Sequence, residues 1–445
     1  MKLKRSTPVF LALLCAFTLS GQTTPAPAPT GAQTILTFDE ALRRALEVNT
    51  GIGTAREEIG VAEAQRSFLL SAVMPRITLG GDLTRNSLEQ SFGEGGDALI
   101  ILPRNDWAYR VTLSQPIFAG RRELRAYSQA KIGIENAREG TQAAEDGALL
   151  RVASNYLAVI NADRRVAVEN TNIALADRRL AQAQAFYEAG EVTRVDVLRA
   201  ETARKASQRL LAVANQQREH AEAQLRTDLD LEGEIQVVAP ERPLPPLPSE
   251  ADLIARATTS RPDIDIAENN VRIAQLEVAK QRGFWLPTVT FDGGFVQQKT
   301  AFPTDQYSYG ALRFNVPLFQ AGEVFARVAG AKSREKQAEL ALEEAKLIAR
   351  EDVRRALSDL ESARIGLQLA NEQLEAAQAE YDQAFELYRA QEATSLDLAS
   401  SEASLADARR AVAEETLNRD LAELRVWHAA GAIKDSVGVQ PAATE

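Results

Sequence analysis

Proline is missing from Ile117 to Ala239 and again from Leu318 to Gln440, in a chain that places 17 prolines among its 445 residues. A proline inside a helix removes a hydrogen bond and clashes with the preceding turn. Two such stretches, built mainly from Ala, Leu, Glu, Gln and Arg, therefore predict uninterrupted helix. From Arg121 to Glu188 alone a continuous helix would run about 100 Å, longer than an ordinary globular domain uses. Leu149, Val152, Tyr156, Val159 and Ile160 recur at spacings of three and four, the stripe of a coiled coil or bundle. Gly190 interrupts the first stretch and Gln391 to Thr394 the second, so each folds back as an antiparallel helical hairpin.

The two stretches belong to two copies of one unit. Ile52, Ala55, Ile59 and Pro75 recur as Ile264, Ala267, Val271 and Pro287, displaced by 212 residues. Pro116-Ile117-Phe118 recurs as Pro317-Leu318-Phe319, and Tyr187-Glu188-Ala189 as Tyr388-Arg389-Ala390, both displaced by 201. The displacement drops because a loop between the two blocks is shorter in the second copy. Each unit reads helix, strand, loop, strand, long helix, tip, long helix. The expected division is a leader over 1–21, a Pro/Thr/Ala linker over 22–35, a first repeat over 36–235, a hinge over 236–247, a second repeat over 248–431 and a flexible tail over 432–445.

The strands are expected at about 76–86, 106–116, 288–297 and 308–317. Ile77, Leu79 and Leu83 alternate with Thr78, Asp82 and Thr84. Trp107, Tyr109, Val111 and Leu113 alternate with Arg110, Thr112 and Ser114. Val289, Phe291 and Phe295 alternate with Thr290 and Asp292, and Leu312, Phe314 and Val316 with Arg313 and Asn315. Such alternation fits hairpins packed on a soluble core. It also fits staves of a membrane barrel, whose tilted strands need about 9 to 11 residues to cross. Pro75, Pro116, Pro287 and Pro317 mark the expected barrel–helix junctions. Trp107, Tyr109, Trp285 and Tyr307 suit interfacial girdles, and the loops Asn86–Asn105, with Gly-Glu-Gly-Gly at 93–96, and Gln298–Gln306 suit an outer surface. Hydrocarbon tolerates no open sheet edge, and four strands cannot close a ring with a lumen, so in the barrel reading several copies must pool their strands.

The N-terminus agrees with that reading. Lys2, Lys4 and Arg5 precede an apolar run from Pro8 to Leu19 and then small residues, the layout of a secretory signal. The single cysteine, Cys15, lies inside that run behind Leu13 and Leu14, so a mature chain would keep no disulfide, thiolate metal site or Cys nucleophile. Losing the leader removes three positive charges from a chain already at −11, the wrong sign for nucleic acid. The excess acid reads either as a solvated face or as a cation-attracting mouth. With two histidines far apart in sequence, and no metal spacing, phosphate loop or Ser elbow, no catalytic residue, metal or cofactor is expected.

Taken in order, these features resemble the TolC-like outer membrane efflux protein family. The resemblance covers nearly the whole mature chain. It rests on the duplication, the Pro-x-Phe turns at Pro116 and Pro317, and the tip segments from Tyr187 to Leu198 and from Tyr388 to Leu398. It implies a mostly α protein with a membrane β-barrel portion, a homotrimer pooling four strands per protomer into twelve above an α-helical tunnel. The implied partners are outer-membrane lipid, a periplasmic adaptor docking at the tips, and an inner-membrane transporter of the RND, ABC or MFS type. Asp397 would match the aspartate lining the periplasmic aperture, Tyr388 a tyrosine that ties it shut, and Asp196 the first-repeat equivalent. Thr193-x-x-Asp196 and Thr394-x-x-Asp397 equally read as helix capping boxes, and Gly190 as a plain helix-ending glycine. The implied adaptor contacts are Ala189, Gly190, Glu191 and Thr193 at one tip and Ala390, Gln391, Glu392 and Thr394 at the other. Gln391, Ala393 and Ser400 depart from the family pattern, so the latch is expected to differ. The competing reading is a periplasmic coiled-coil adaptor or spacer, which would be soluble in water and would not need tandem strand pairs.

Overall fold

The computed structural model describes residues 34–92, 99–239, 244–299, 304–390 and 392–438. The leader, Cys15, most of the linker, the Gly-Glu-Gly-Gly segment, Gln391 and residues 439–445 lie outside the described residues. The first repeat runs β1 (Thr34–Leu36), α1 (Phe38–Val48), α2 (Thr50–Ser71), β2 (Arg76–Arg85), β3 (Gln90–Phe92), β4 (Leu99–Leu102), β5 (Asn105–Ala119), α3 (Arg122–Glu188), α4 (Arg194–Asp228) and β6 (Ile235–Val237). The second runs α5 (Glu250–Ser260), α6 (Pro262–Arg282), a 3-10 turn (Gly283–Trp285), β7 (Thr288–Gln298), β8 (Gln306–Asn315), α7 (Glu323–Arg389), α8 (Ser395–Ala429) and α9 (Ile433–Val437).

Both α3 and α7 hold 67 residues without a break, which at the helical rise is about 100 Å. Each pairs with the 35-residue helix that follows it. Four of the strands form an antiparallel sheet in the order β2-β5-β7-β8, so the two repeats meet at β5 and β7, and β2 and β8 are its edges. The pairing places Ile77 opposite Leu113, Leu79 opposite Val111, Val111 opposite Phe295 and Phe291 opposite Leu312, which collects the apolar set on one face. That face is bare in the protomer: Leu79 is 76% and Phe314 69% exposed. The other face is polar and internally paired. Asp82 meets Arg110 at 3.1 Å, Asp292 meets Arg313 at 3.2 Å, and the Thr78 and Thr112 hydroxyls lie 2.5 Å apart.

The helices meet at a waist far from the sheet. There the stripe Leu149, Val152, Tyr156, Val159 and Ile160 packs with Leu36, Leu42, Leu225, Ile235 and Leu424 in one core. Leu253, Ile264, Val353, Leu360 and Trp427 form a second. The parallel pair β1 and β6 is fastened to α3 by the buried Tyr156 hydroxyl, which donates to either the Leu36 carbonyl (2.9 Å) or the Val238 carbonyl (2.6 Å). Burial pushes that phenol up to about 12.

Four expectations need correction. Residues 432–438 are not a flexible tail: α9 buries Ile433 and Val437 in the first core, and Lys434 pairs with Glu145 at 2.8 Å. Pro116 does not end its strand. It sits inside β5 at a shift of register between Pro116 and Phe118, where a residue without an N–H is tolerated, and β7 goes on pairing as far as Ala119. Tyr307 pairs with Val296 on the face that carries Asp292 and Arg313, so it points away from the apolar girdle. The segment Asn86–Asn105, expected as a loop, contains the antiparallel pair β3 and β4, the latter a Leu-Ile-Ile-Leu strand.

Candidate functional site

The tips carry the candidate site. At the first, α3 ends at Glu188 with Ala189 as its C-cap, Gly190 takes a φ of +77° with open space around its α-carbon, and Thr193 is the N-cap of α4. The Asp196 carboxylate closes a capping box, accepting from the Thr193 N–H at 3.1 Å and hydroxyl at 2.7 Å. At the second tip Asp397 does the same for Thr394, at 2.9 and 2.7 Å. Ala189, Gly190, Glu191, Thr193, Ala390, Glu392 and Thr394 are all exposed, as a contact surface requires.

The two boxes are equal in sequence and unequal in space. Asp397 faces solvent, and the Thr394 hydroxyl and N–H hold its carboxyl below the usual aspartate range. Asp196 also accepts from the Ser395 hydroxyl of the other repeat. That bond, then the Thr193 hydroxyl and N–H and the Arg199 charge, hold its carboxyl down. Ser395 is fastened a second time. Arg179, on α3, donates from one guanidinium nitrogen to the Ser395 carbonyl at 2.9 Å and from another to Glu402 at 2.8 Å. Arg179 and Glu402 are only 7% and 15% exposed, so this pair is shielded from screening. Burial pushes the Glu402 carboxyl up while Arg179 pulls it down. Tyr388 is buried beside them with its ring 5.9 Å from that of Phe186, and burial, then the charge of Asp196, pushes its phenol up. Further along the same joint Arg410 meets the buried Glu169 at 3.0 Å.

The structure thus brings Tyr388 and Asp196 into one cluster and leaves Asp397 apart, on the exposed start of α8. Sequence reasoning missed Arg179, Ser395 and Glu402. The one available signal was Ser395, the residue after the second-tip threonine. Among the described residues no group of three His, Cys, Asp or Glu is placed to hold a metal. Nor is any described helix long and apolar enough to cross a membrane. Long helices hung from the amphipathic sheet are the architecture of a channel subunit.

Comparison with known proteins gives the same class. A model of the outer membrane efflux protein family matches residues 41–229 and 253–432, one match per repeat, and the chain belongs to that family. Outer membrane efflux protein BepC of Brucella suis is 24% identical over 418 residues, covering 91% of this chain and 88% of BepC. Protein CyaE of Bordetella pertussis is 26% identical over 351 residues, covering 76% of this chain and 72% of CyaE. Among solved structures, CusC superimposes with a TM-score of 0.77 at 17% identity, over 94% of this chain and 100% of CusC, and so shares its fold.

Proposed function

We propose that three copies of this chain form a passive exit duct through the outer membrane, continued into the periplasm by the helices. The observation that carries the reading is the four-stranded sheet, apolar on one face and polar on the other, with both edges open above helices of about 100 Å. In hydrocarbon each unpaired backbone group costs several kcal/mol, so the edges must be joined to those of other copies. Three protomers supply twelve strands. The polar face then lines the lumen and the bare apolar face meets lipid.

In this duct the tips form the periplasmic aperture, ringed by three copies of Asp397. The Asp196–Ser395 and Arg179–Glu402 bonds hold the two tips of each protomer together. A periplasmic adaptor docks on the exposed tip residues and links the duct to an inner-membrane transporter of the RND, ABC or MFS type, which supplies the energy. The relatives support this reading, since BepC is named an outer membrane efflux protein.

Fractionation and reconstitution test it together. The chain should sediment with outer membranes, require detergent for extraction, run as three copies by light scattering, and give ion-conducting steps in planar bilayers. A water-soluble monomer without detergent would refute it. Crosslinkers placed at 188–196 and 389–397 then identify the adaptor.

A further inference from the structure

Both repeats turn from sheet to helix at a corner with two successive left-handed residues, Gly120 and Arg121 in the first and Ala321 and Gly322 in the second. The displacement of 201 puts Arg121 on Gly322 and Arg122 on Glu323. Arg121 therefore holds a φ of +60° at a position the other repeat gives to glycine, and a side chain there strains the backbone. Residues strained in this way cluster at ligand clamps and switch regions.

Beside Arg121 lies a cleft of about 400 Å³ between the end of α2, the last residues of β5 and the start of α3. Val73, Ile117, Phe118 and Leu124 make its wall largely apolar, and Arg121 and Glu123 are its charged members. In the second repeat Val73 becomes Trp285, displaced by 212, and Leu124 becomes Phe325, displaced by 201. Those two rings meet edge to face at 5.2 Å, so an aromatic pair bridges the gap that the smaller residues leave open. Gln115 pairs with Phe291 and Phe118 with Val289, which sets the cleft at the helix end of the apolar face of the sheet.

We infer that this cleft binds one anionic phospholipid per chain, an acyl chain entering among Val73, Ile117, Phe118 and Leu124 while the headgroup phosphate meets Arg121. The inference rests on the proposed duct, which puts the apolar face in lipid and this corner where the strands leave the hydrocarbon.

Charge selects the anionic class. Arg121 is exposed and has no ion partner among the described residues. Arg122 is already engaged, donating to the Ala119 carbonyl at 2.9 Å with its guanidinium 4.3 Å from the centre of the Phe284 ring. The first corner, Arg121-Arg122-Glu123, carries two positive charges and one negative, whereas the second, Gly322-Glu323-Val324, carries one negative and no positive. In a chain at −11 this local excess runs against the average. An arginine at the border of an apolar surface lays its stem on hydrocarbon and holds its charge at headgroup level, where anionic lipid attracts it.

The test uses the full chain purified in detergent, titrated with phosphatidylglycerol and, separately, with phosphatidylethanolamine, with retained lipids counted by native mass spectrometry. Up to one phosphatidylglycerol per chain should stay, held about fivefold more tightly than phosphatidylethanolamine, the effect of one arginine near an anionic surface. Arg121→Gly installs the residue of the second repeat and relieves the backbone, so it should fold and lose that preference, while Arg121→Lys should keep most of it. Val73→Trp with Leu124→Phe fills the cleft as the second repeat fills its own and should lower retention of both lipids. Equal retention of the two lipids by the wild-type chain overturns the site and leaves the duct standing. So does a wild-type preference in Arg121→Gly, or unchanged retention in the filled variant. A chain that is a water-soluble monomer without detergent overturns the duct and the site together.

Discussion

In the proposed duct, Arg179 is the residue whose loss should most weaken the contact between the two tips of a protomer. It holds two acceptors of the second repeat, the Glu402 carboxylate at 2.8 Å and the Ser395 carbonyl at 2.9 Å, from a site 7% exposed. Arg179→Met keeps the stem and removes the charge. It strands Glu402, already pushed up by burial, and leaves the Ser395 carbonyl without this donor. Breaking a buried ion pair from one side costs about 3 to 5 kcal/mol. The 67 residues of α3 are anchored at the waist, so most of that cost falls on the contact between the tips rather than on folding. A contact weakened by about 3 kcal/mol parts more than 100-fold more often, at about 1.4 kcal/mol per factor of ten. In planar bilayers Arg179→Met should raise the open fraction, and spin labels at Ala189 and Ala390 should report a broader and longer distance. Arg179→Met with Glu402→Leu leaves no stranded charge, so the double variant should return to, or fall below, wild-type conductance. Wild-type conductance and label distance in Arg179→Met would refute the argument. So would a double variant as open as the single.

The remaining predictions concern the caps, the corners and the waist. Asp397→Asn keeps at N3 a side-chain oxygen that can accept from the Thr394 N–H and removes the charge, so in the proposed duct it should reduce cation selectivity and block by multivalent cations in planar bilayers with the helix start intact by hydrogen exchange. The depressed Asp196 carboxyl contributes stability that is fully present above its unfolded value of about 3.9 and is lost as pH falls through its lower folded value. Spin labels on the starts of α4 and α8 should therefore stay close from neutral pH to about 4 and separate only below it. Gly120→Ala meets a carbonyl at 2.2 Å and should lower the melting temperature far more than Gly190→Ala, which has a similar positive φ in open space and should cost only about 1 to 2 kcal/mol. Tyr156→Phe removes the donor to the Leu36 and Val238 carbonyls and should destabilise the protomer by about 1 to 3 kcal/mol in thermal unfolding.

The long helices, the duplication and the apolar side of each strand were legible because they follow from single-residue rules: proline placement, helix propensity and period two. The tip cluster was not, for two physical reasons. Along α3 the buried stripe continues past Ile160 as Glu169, Asn172, Ala176, Arg179 and Ala183, so its apolar signal stops while its burial does not. A pattern of hydrophobicity therefore places Arg179 on the surface. Comparison of the repeats also hides the pair, because the displacement of 201 maps Arg179 onto Glu380 and Glu402 onto Glu201. The ion pair belongs to one joint only. The reach of Asp196 to Ser395 was hidden in the same way, since Arg194 stands where the second repeat has Ser395. Tyr307 failed for a third reason: strand parity depends on where pairing begins, and an aromatic at a strand end can lie on either face.

The change along α3 from Leu149, Val152 and Tyr156 to Glu169, Asn172 and Arg179 also explains how one rod can be fixed at the waist and separable at the tip. A buried leucine contributes about 1.5 to 3 kcal/mol, and parting two apolar stripes forfeits that at every layer. An ion pair such as Arg179–Glu402 or Arg410–Glu169 gives up its mutual attraction on separation but regains the hydration of both charges, so the net cost of parting is small. Removing one charge destroys that balance, while removing both replaces a reversible contact by an apolar weld. In the proposed duct the reversible kind of joint therefore stands at the mouth and the apolar kind at the waist, so that the mouth is the part that can separate and re-form.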